Sequence, residues 1–282
     1  MTRFDTPAGI EPLWPLGTYS YFGYPLSFSQ RCDVIREAGF EVTSLGLGDE
    51  EDLVRAGQED MMPVLARERG LAVDYVHCAE GRCNLLWSPS EREREVGLKD
   101  LLRAVAFCAK HSIAIVVAHI TRSKGEQPPP PNRHGIDALS RVIQKAEDNG
   151  IRIAVENTQK PGHLHYLFSR IASPCLGLCY DSSHDFLYSA SPGELLRQWG
   201  HLLLAVHISD NDGLADRHWL PGEGVIDWKR VISLFPPTYR GTLNLEIFPK
   251  EPGVEAPPAF LTRAYAGLRR LQEQLNGAHR PE

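Results

Sequence analysis

The sequence has no apolar run approaching the roughly 18 residues that a membrane helix needs, so no span is expected. It has no polybasic cluster, and its net charge is −6. Nucleic acid and acidic membrane favour clustered Lys and Arg, so a membrane partner is set aside. Nucleic acid stays a secondary option, because a small basic patch can coexist with an acidic total. The opening Met1-Thr2-Arg3-Phe4-Asp5-Thr6-Pro7 lacks the apolar core of a signal peptide. None of the six cysteines (Cys32, Cys78, Cys83, Cys108, Cys175, Cys179) belongs to a CxxC pair, and several lie in apolar runs. That usage points to buried, reduced thiols and a cytoplasmic chain.

What the sequence does have is hydrophobic bulk in a repeating arrangement. Of its 282 residues 42% are hydrophobic, enough for a sizeable core. Short apolar runs alternate with longer amphipathic segments, the pattern of repeated βα units and a parallel sheet. The runs are Leu16 to Tyr21, Glu41 to Leu45, Ala72 to His77, Ile113 to His119, Arg152 to Glu156, Leu176 to Asp181, Leu202 to His207 and Thr242 to Glu246. Helical periodicity fills Glu91 to Lys110, Ile136 to Asp148 and Pro258 to Leu275, and Asn149-Gly150 is a helix stop. Eight such units predict a single (β/α)8 TIM barrel, a fold of about 250 residues. One domain is expected over residues 1–282, with 276–282 a frayed polar tail. Pro128-Pro129-Pro130-Pro131 reads as a stiff loop, because strands of the same kind continue on both sides. Barrel helices always carry apolar faces, so a homo-oligomer is compatible with the pattern without being indicated by it.

In a barrel of this kind the site lies at the carboxyl ends of the strands. Six of the eight runs end in a group able to bind a cation: His77, His119, Glu156, Asp181, His207 and Glu246. His184 follows the sixth run, and Asp216 and His218 lie in the loop after the seventh. Any one of these alone is ordinarily a hydrogen-bonded structural group. Together they converge on one axis, where carboxylates repel each other unless a cation holds them. A divalent metal is therefore expected. Imidazoles suit zinc, and the carboxylate share suits manganese or magnesium. The remaining histidines serve as a contrast. His111 and His201 precede strands, His134 lies in the Pro-rich loop, and His279 is in the tail. His163 and His165 read as surface residues, with a substrate contact as the other option.

These residues carry a family resemblance. Ala154-Val155-Glu156-Asn157-Thr158, Tyr180-Asp181-Ser182-Ser183-His184, Val206-His207-Ile208-Ser209-Asp210-Asn211-Asp212-Gly213, Pro221-Gly222-Glu223-Gly224-Val225-Ile226-Asp227-Trp228 and Leu245-Glu246 together resemble the xylose-isomerase-like barrel superfamily. That superfamily contains sugar epimerases and isomerases, inosose-processing enzymes and endonuclease IV. The resemblance to its sugar epimerases implies a metal held by Glu156, Asp181, His207 and Glu246. It also implies catalysis by Glu156 and Glu246, which exchange a proton at a carbon beside a carbonyl while the metal stabilises an enediolate. His184 and Arg217 are the implied substrate contacts, and the substrate is a small sugar or polyol.

Endonuclease IV uses three zinc ions, and its larger ligand set also finds matches here. His77, His119, His184, Asp216 and His218 complete nine positions, so the ion count expected lies between one and three. The alternative function is accordingly a zinc phosphodiesterase acting on abasic DNA. Departures favour the sugar branch. His77-Cys78-Ala79-Glu80 lacks the aromatic of the endonuclease segment and puts an acid near its place. Gly48-Asp49-Glu50-Glu51-Asp52 would repel a phosphate backbone, and Glu246 is followed by Ile247-Phe248. Asp227 also suits a helix N-cap, a purely structural role. A third option is a metal-binding barrel without turnover, though nothing in the ligand set looks damaged.

Overall fold

The computed structural model describes residues 14–278. Its eight strands are β1 (Leu16–Tyr19), β2 (Val42–Gly46), β3 (Ala72–His77), β4 (Ile115–Ala118), β5 (Arg152–Glu156), β6 (Leu176–Asp181), β7 (Leu203–His207) and β8 (Leu243–Leu245). All are parallel, in the order β7-β6-β5-β4-β3-β2-β1-β8. Just past β7, Ile208 N donates to Asn244 O at 2.8 Å and Glu246 N donates to Ile208 O at 3.3 Å. These bonds close the sheet, and the fold is a single (β/α)8 TIM barrel.

The helices are α1 (Phe28–Glu37), α2 (Asp52–Arg55), α3 (Met61–Glu68), α4 (Glu91–His111), α5 (Arg133–Glu147), α6 (Pro161–Phe168), α7 (Ser182–Tyr188), α8 (Glu194–Trp199), α9 (Trp228–Leu234) and α10 (Pro257–Ala278). Local chemistry starts several of them. Ser27 and Gln30 form a capping box on α1, Ser90 caps α4 and Asn132 caps α5. Asp227 caps α9 as expected. Among the described residues no helix is long and apolar enough to cross a membrane.

Alternation along the strands places the site. One side of each strand packs against the helices in the main core. On the other side Tyr75, Ile115, Val117, Ala154, Cys179 and Ala205 form a separate buried cluster inside the barrel. Side chains two residues apart on a strand share a face. The next inward positions toward the carboxyl ends are therefore His77, His119, Glu156, Asp181 and His207. Glu246 stands two residues beyond Asn244 in the same way.

Several expectations need correction. Helix α10 continues to Ala278, so 276–278 are helical rather than frayed; 279–282, with His279, lie outside the described residues. His134 belongs to the first turn of α5, not to the Pro-rich loop. His163 is buried, with its ring 4.8 Å from that of Trp87 and its Nε2 2.9 Å from Pro129 O. The Pro129 carbonyl takes up Nε2 and the Trp87 ring packs against the imidazole, so protein rather than water surrounds it. Five of the six cysteines are buried; Cys175 is partly exposed, and all six are free.

Candidate functional site

Glu156 is the hub of the carboxyl-end face. Its Oε2 lies 2.9 Å from His119 Nε2, 3.1 Å from His77 Nε2 and 3.1 Å from His207 Nδ1. Its Oε1 lies 3.0 Å from His184 Nδ1. Glu246 Oε2 approaches the same His207 Nδ1, at 2.9 Å, and Asp181 Oδ2 stands 3.9 Å from it. One ligand atom from each of Glu156, Asp181, His207 and Glu246 falls within 4.8 Å of all the others, and His77, Glu156 and His207 form an overlapping triple.

The remaining expected positions are engaged in pairs. Asp216 Oδ2 lies 3.2 Å from His184 Nε2 and 3.0 Å from His218 Nε2, and Asp216 Oδ1 accepts from Ser183 Oγ at 2.9 Å. His119 Nδ1 lies 2.8 Å from Glu80 Oε2, which also accepts from Ser123 Oγ at 2.9 Å. His218 is also one of two non-glycine residues with positive φ among the described residues, at 53°. Backbone in that region is uncommon for residues other than glycine, although His tolerates it better than most, and such conformations concentrate at functional positions.

Arg217 does not join them. Its Nε donates to Asp212 Oδ2 at 2.9 Å on the outer part of the loop, and it does not line the cavity. Tyr19 and Tyr21 do line it, whereas Trp14, Phe22 and Trp87 are buried core. The residues that sequence reasoning passed over are Glu50, Glu80, Ser123, Lys124 and Phe248, all on the cavity wall. They sit on loops, where no strand or helix period marks a direction. Glu80 was visible as an acid near His77, but only folding brings it to His119.

The donor set fits a cation. Asp181 Oδ2, His119 Nε2 and both nitrogens of His207 are buried without a hydrogen-bond partner. His207 Nδ1 is therefore close to two carboxylates without being aligned to bond either. Such convergence of unpartnered donor atoms is costly in a dry site and is what a bound cation relieves. Asp181 shows how the fold divides its oxygens: Oδ1 caps α7 by accepting from His184 N at 2.6 Å, leaving Oδ2 free.

The charges follow from the same packing. Burial pushes the Asp181 carboxyl up to about 6, with the nearby His184 pulling the other way. Burial would also raise Glu246, but His207 beside it outweighs that and holds it at about 2. Burial opposes charge on His119, yet Glu156 and Glu80 raise it to about 10. Burial likewise opposes charge on His218, and Asp216 raises it to about 9. With no cation, imidazolium protons compensate the carboxylates. The cavity above this cluster measures about 240 Å³. That is smaller than the roughly 300–1,000 Å³ of sites for drug-sized ligands.

Residues 32–264 match the family model described as xylose isomerase-like TIM barrel. The chain belongs to that family. A relative, the uncharacterized protein y4fM of Sinorhizobium fredii (strain NBRC 101917 / NGR234), is 28% identical over 309 aligned residues, covering 98% of this chain and 97% of that one. Among solved structures, a D-tagatose 3-epimerase-like protein superposes with a TM-score of 0.72 at 20% identity, covering 93% of this chain and 98% of its own. An L-ribulose 3-epimerase gives 0.73 at 18%, covering 94% and 99%. The 3-keto-D-glucoside 4-epimerase of E. coli gives 0.70 at 18%, covering 91% and 99%. At these identities the likeness establishes the shared barrel.

Proposed function

We propose that this protein is a divalent-metal-dependent sugar or polyol isomerase or epimerase. The observation that carries the reading is the pair Glu156 and Glu246, which approach His207 Nδ1 at 3.1 and 2.9 Å from different strands. With Asp181 they frame one point beneath the cavity of about 240 Å³. The epimerase titles of the similar barrels, one of them holding D-allulose, agree with a small sugar substrate.

Glu156, Asp181, His207 and Glu246 are the residues that would hold the cation. A divalent cation there would supply Lewis acidity, making negative charge on a carbonyl oxygen less costly and the adjacent C–H more acidic. One of the two glutamates takes the proton from the carbon beside the carbonyl. The C–H electron pair becomes the C=C bond, and the carbonyl pair moves onto oxygen to give an enediolate. Delivery of a proton to the opposite face by the other glutamate, which must start as the carboxylic acid and ends as the carboxylate, inverts the centre; delivery by the first glutamate to the neighbouring carbon, with a hydroxyl proton passing between the two oxygens, isomerises the sugar. The Glu156 side chain is 1% exposed and that of Glu246 16% exposed, so of the two glutamates lining the cavity Glu156 is the more deeply buried. His184, Asp216 and His218 line the wall beside them and are placed to hold substrate oxygens.

The overlapping His77–Glu156–His207 triple supports a second reading with more than one ion and phosphodiester chemistry. The single-cation arrangement has the better support, because four groups, Glu156, Asp181, His207 and Glu246, converge on one point, and the acids Glu50 and Glu80 on the cavity wall would repel a phosphodiester. Metal-loaded protein should exchange solvent deuterium into a ketose at the carbon beside the carbonyl. Full turnover retained by Glu156→Gln and Glu246→Gln would sink the proposal, and cleavage of an abasic-site duplex would favour the second reading.

A further inference from the structure

The contacts from the glutamate pair run outward in one line. Glu246 meets His207, His207 meets Glu156, Glu156 meets His184 at 3.0 Å, and His184 meets Asp216 at 3.2 Å. The last member is Lys124, whose Nζ lies 3.9 Å from Asp216 Oδ2 with its side chain 65% exposed. That separation exceeds a hydrogen bond, so the three N–H donors of the ammonium have no acceptor from Asp216. The backbone before Lys124 is nonetheless tied down. Arg122 N donates to Asn84 Oδ1 at 2.9 Å, Ser123 N and Oγ donate to Glu80, and Gln159 Nε2 donates to Ser123 O. A fixed root and an uncommitted donor head at the cavity wall suit a group that meets the end of a substrate farthest from the reacting carbon.

The surroundings of that head select the chemistry it meets. Glu50, Glu80, Glu156, Asp216 and Glu246 line the cavity, while Lys124 is the one ammonium and no guanidinium lines it among the described residues. Phosphate esters are held by forked Arg contacts, by the start of a helix, or by Lys acting as a point charge together with such contacts, and here, among the described residues, a single Lys stands without either. A phosphate dianion beside Lys124 would find only that one uncommitted cation, because the neighbouring His184 and His218 imidazoles are already engaged by Asp216. A hydroxyl fits better, since its oxygen accepts from the ammonium and its hydrogen donates to a neighbouring carboxylate. Tyr21 and Phe248, with ring centres 6.0 Å apart, add an aromatic face for C–H groups on the same wall.

We propose that Lys124 grips the distal hydroxyl end of the substrate, and that this substrate is an uncharged polyhydroxy ketone rather than a phosphate ester. The inference rests on the isomerase or epimerase reading of the site and adds its substrate class. The test uses manganese-loaded full-length protein, wild type beside Lys124→Met and Lys124→Arg. Calorimetry gives Kd for D-tagatose, D-allulose and L-ribulose, and then for the terminal-deoxy and terminal-phosphate forms of the tightest binder.

Lys124→Met is expected to weaken binding of the free ketose about ten-fold, the scale of one hydrogen bond to a charged group. KM should rise by a similar factor with a smaller change in kcat. The terminal-deoxy sugar should lose the same factor in wild type and no more in the variant. Lys124→Arg should recover part of the loss, and the phosphate ester should bind more weakly than the free sugar. Unchanged Kd and KM in Lys124→Met would overturn the role of Lys124, and tighter binding of the phosphate ester would overturn the substrate class. Binding without any deuterium exchange sinks the proton-transfer reading and leaves Lys124 standing. No binding of any probe by the loaded wild type overturns both.

Discussion

Asp181 spends one oxygen on the fold and keeps one for the site: its Oδ1 accepts the His184 backbone N–H at 2.6 Å, and its Oδ2 is buried without a partner. The local chain therefore fixes the rotamer that aims Oδ2 at His207. Asp181→Asn retains an oxygen able to cap α7 but loses the charge. Its metal content by elemental analysis should fall with little loss of thermal stability. Asp181→Ala should lose metal and also about 1 kcal/mol of stability, the typical worth of an N-cap. Wild-type metal content in both variants would remove Asp181 from the ligand set.

Metal affinity should rise with pH. A carboxylate and an imidazole bind a cation only after their protons leave. Burial holds the Asp181 carboxyl up at about 6 in the ion-free protein. Burial opposes charge on His207, but the carboxylates of Glu156 and Glu246 beside it raise its pKa well above the ordinary value. Protons thus compete at Asp181 below about pH 6, and at His207 through the neutral range. Titration with manganese at pH 5.5, 6.5 and 7.5 should show steadily tighter binding and net proton release. Affinity independent of pH would contradict this assignment of donors.

Gly46 is there because Tyr19 needs its space. A Cβ at this position would overlap the Tyr19 hydroxyl, which donates to Glu50 Oε1 at 3.0 Å on the cavity wall. Gly46→Ala should displace that phenol and destabilise the barrel by about 1–3 kcal/mol, the usual scale of overpacking. Denaturant midpoints compare the two proteins, and equal midpoints with an undisturbed Tyr19 would show that the wall yields freely.

The cysteines should divide sharply by reactivity. Burial raises the Cys32, Cys108 and Cys179 thiols to about 12, and Cys175 is raised less and is partly exposed. The thiolate is the reactive form, so alkylation of native protein should modify Cys175 first and speed up as pH rises. Peptide mapping after brief iodoacetamide treatment at pH 8 reads this directly. Early labelling of Cys179, which lies beneath His207, would mean that the barrel floor opens.

The strand ends were legible because their signal is local. Ala72–His77, Arg152–Glu156 and Leu176–Asp181 occur with the bounds that their apolar runs suggest, and each ends in a group that points inward. A two-residue period dictates that direction as soon as the core face is known. His163 was not legible, because nothing near it in sequence shows that the Trp87 ring and Pro129 carbonyl will enclose it. Arg217 reads as a candidate substrate contact in the sequence, and nothing there shows that the turn of the loop brings its guanidinium to Asp212.

By itself the sequence determined the eight βα units, the barrel they close into and the rim that gathers His77, His119, Glu156, Asp181, His207 and Glu246. Hydrophobic period and strand polarity suffice for that. Only the tertiary structure decided which of those groups share one point and which pair off. The separation of Glu156, Asp181, His207 and Glu246 from the Asp216 and Glu80 pairs depends on distances between strands far apart in the chain. So does the place of Lys124 at the mouth, where its loop is anchored by Glu80 and Asn84 from the connection after β3 and by Gln159 from the one after β5. Spacing along a chain encodes direction, but it does not encode which neighbours a folded loop will meet.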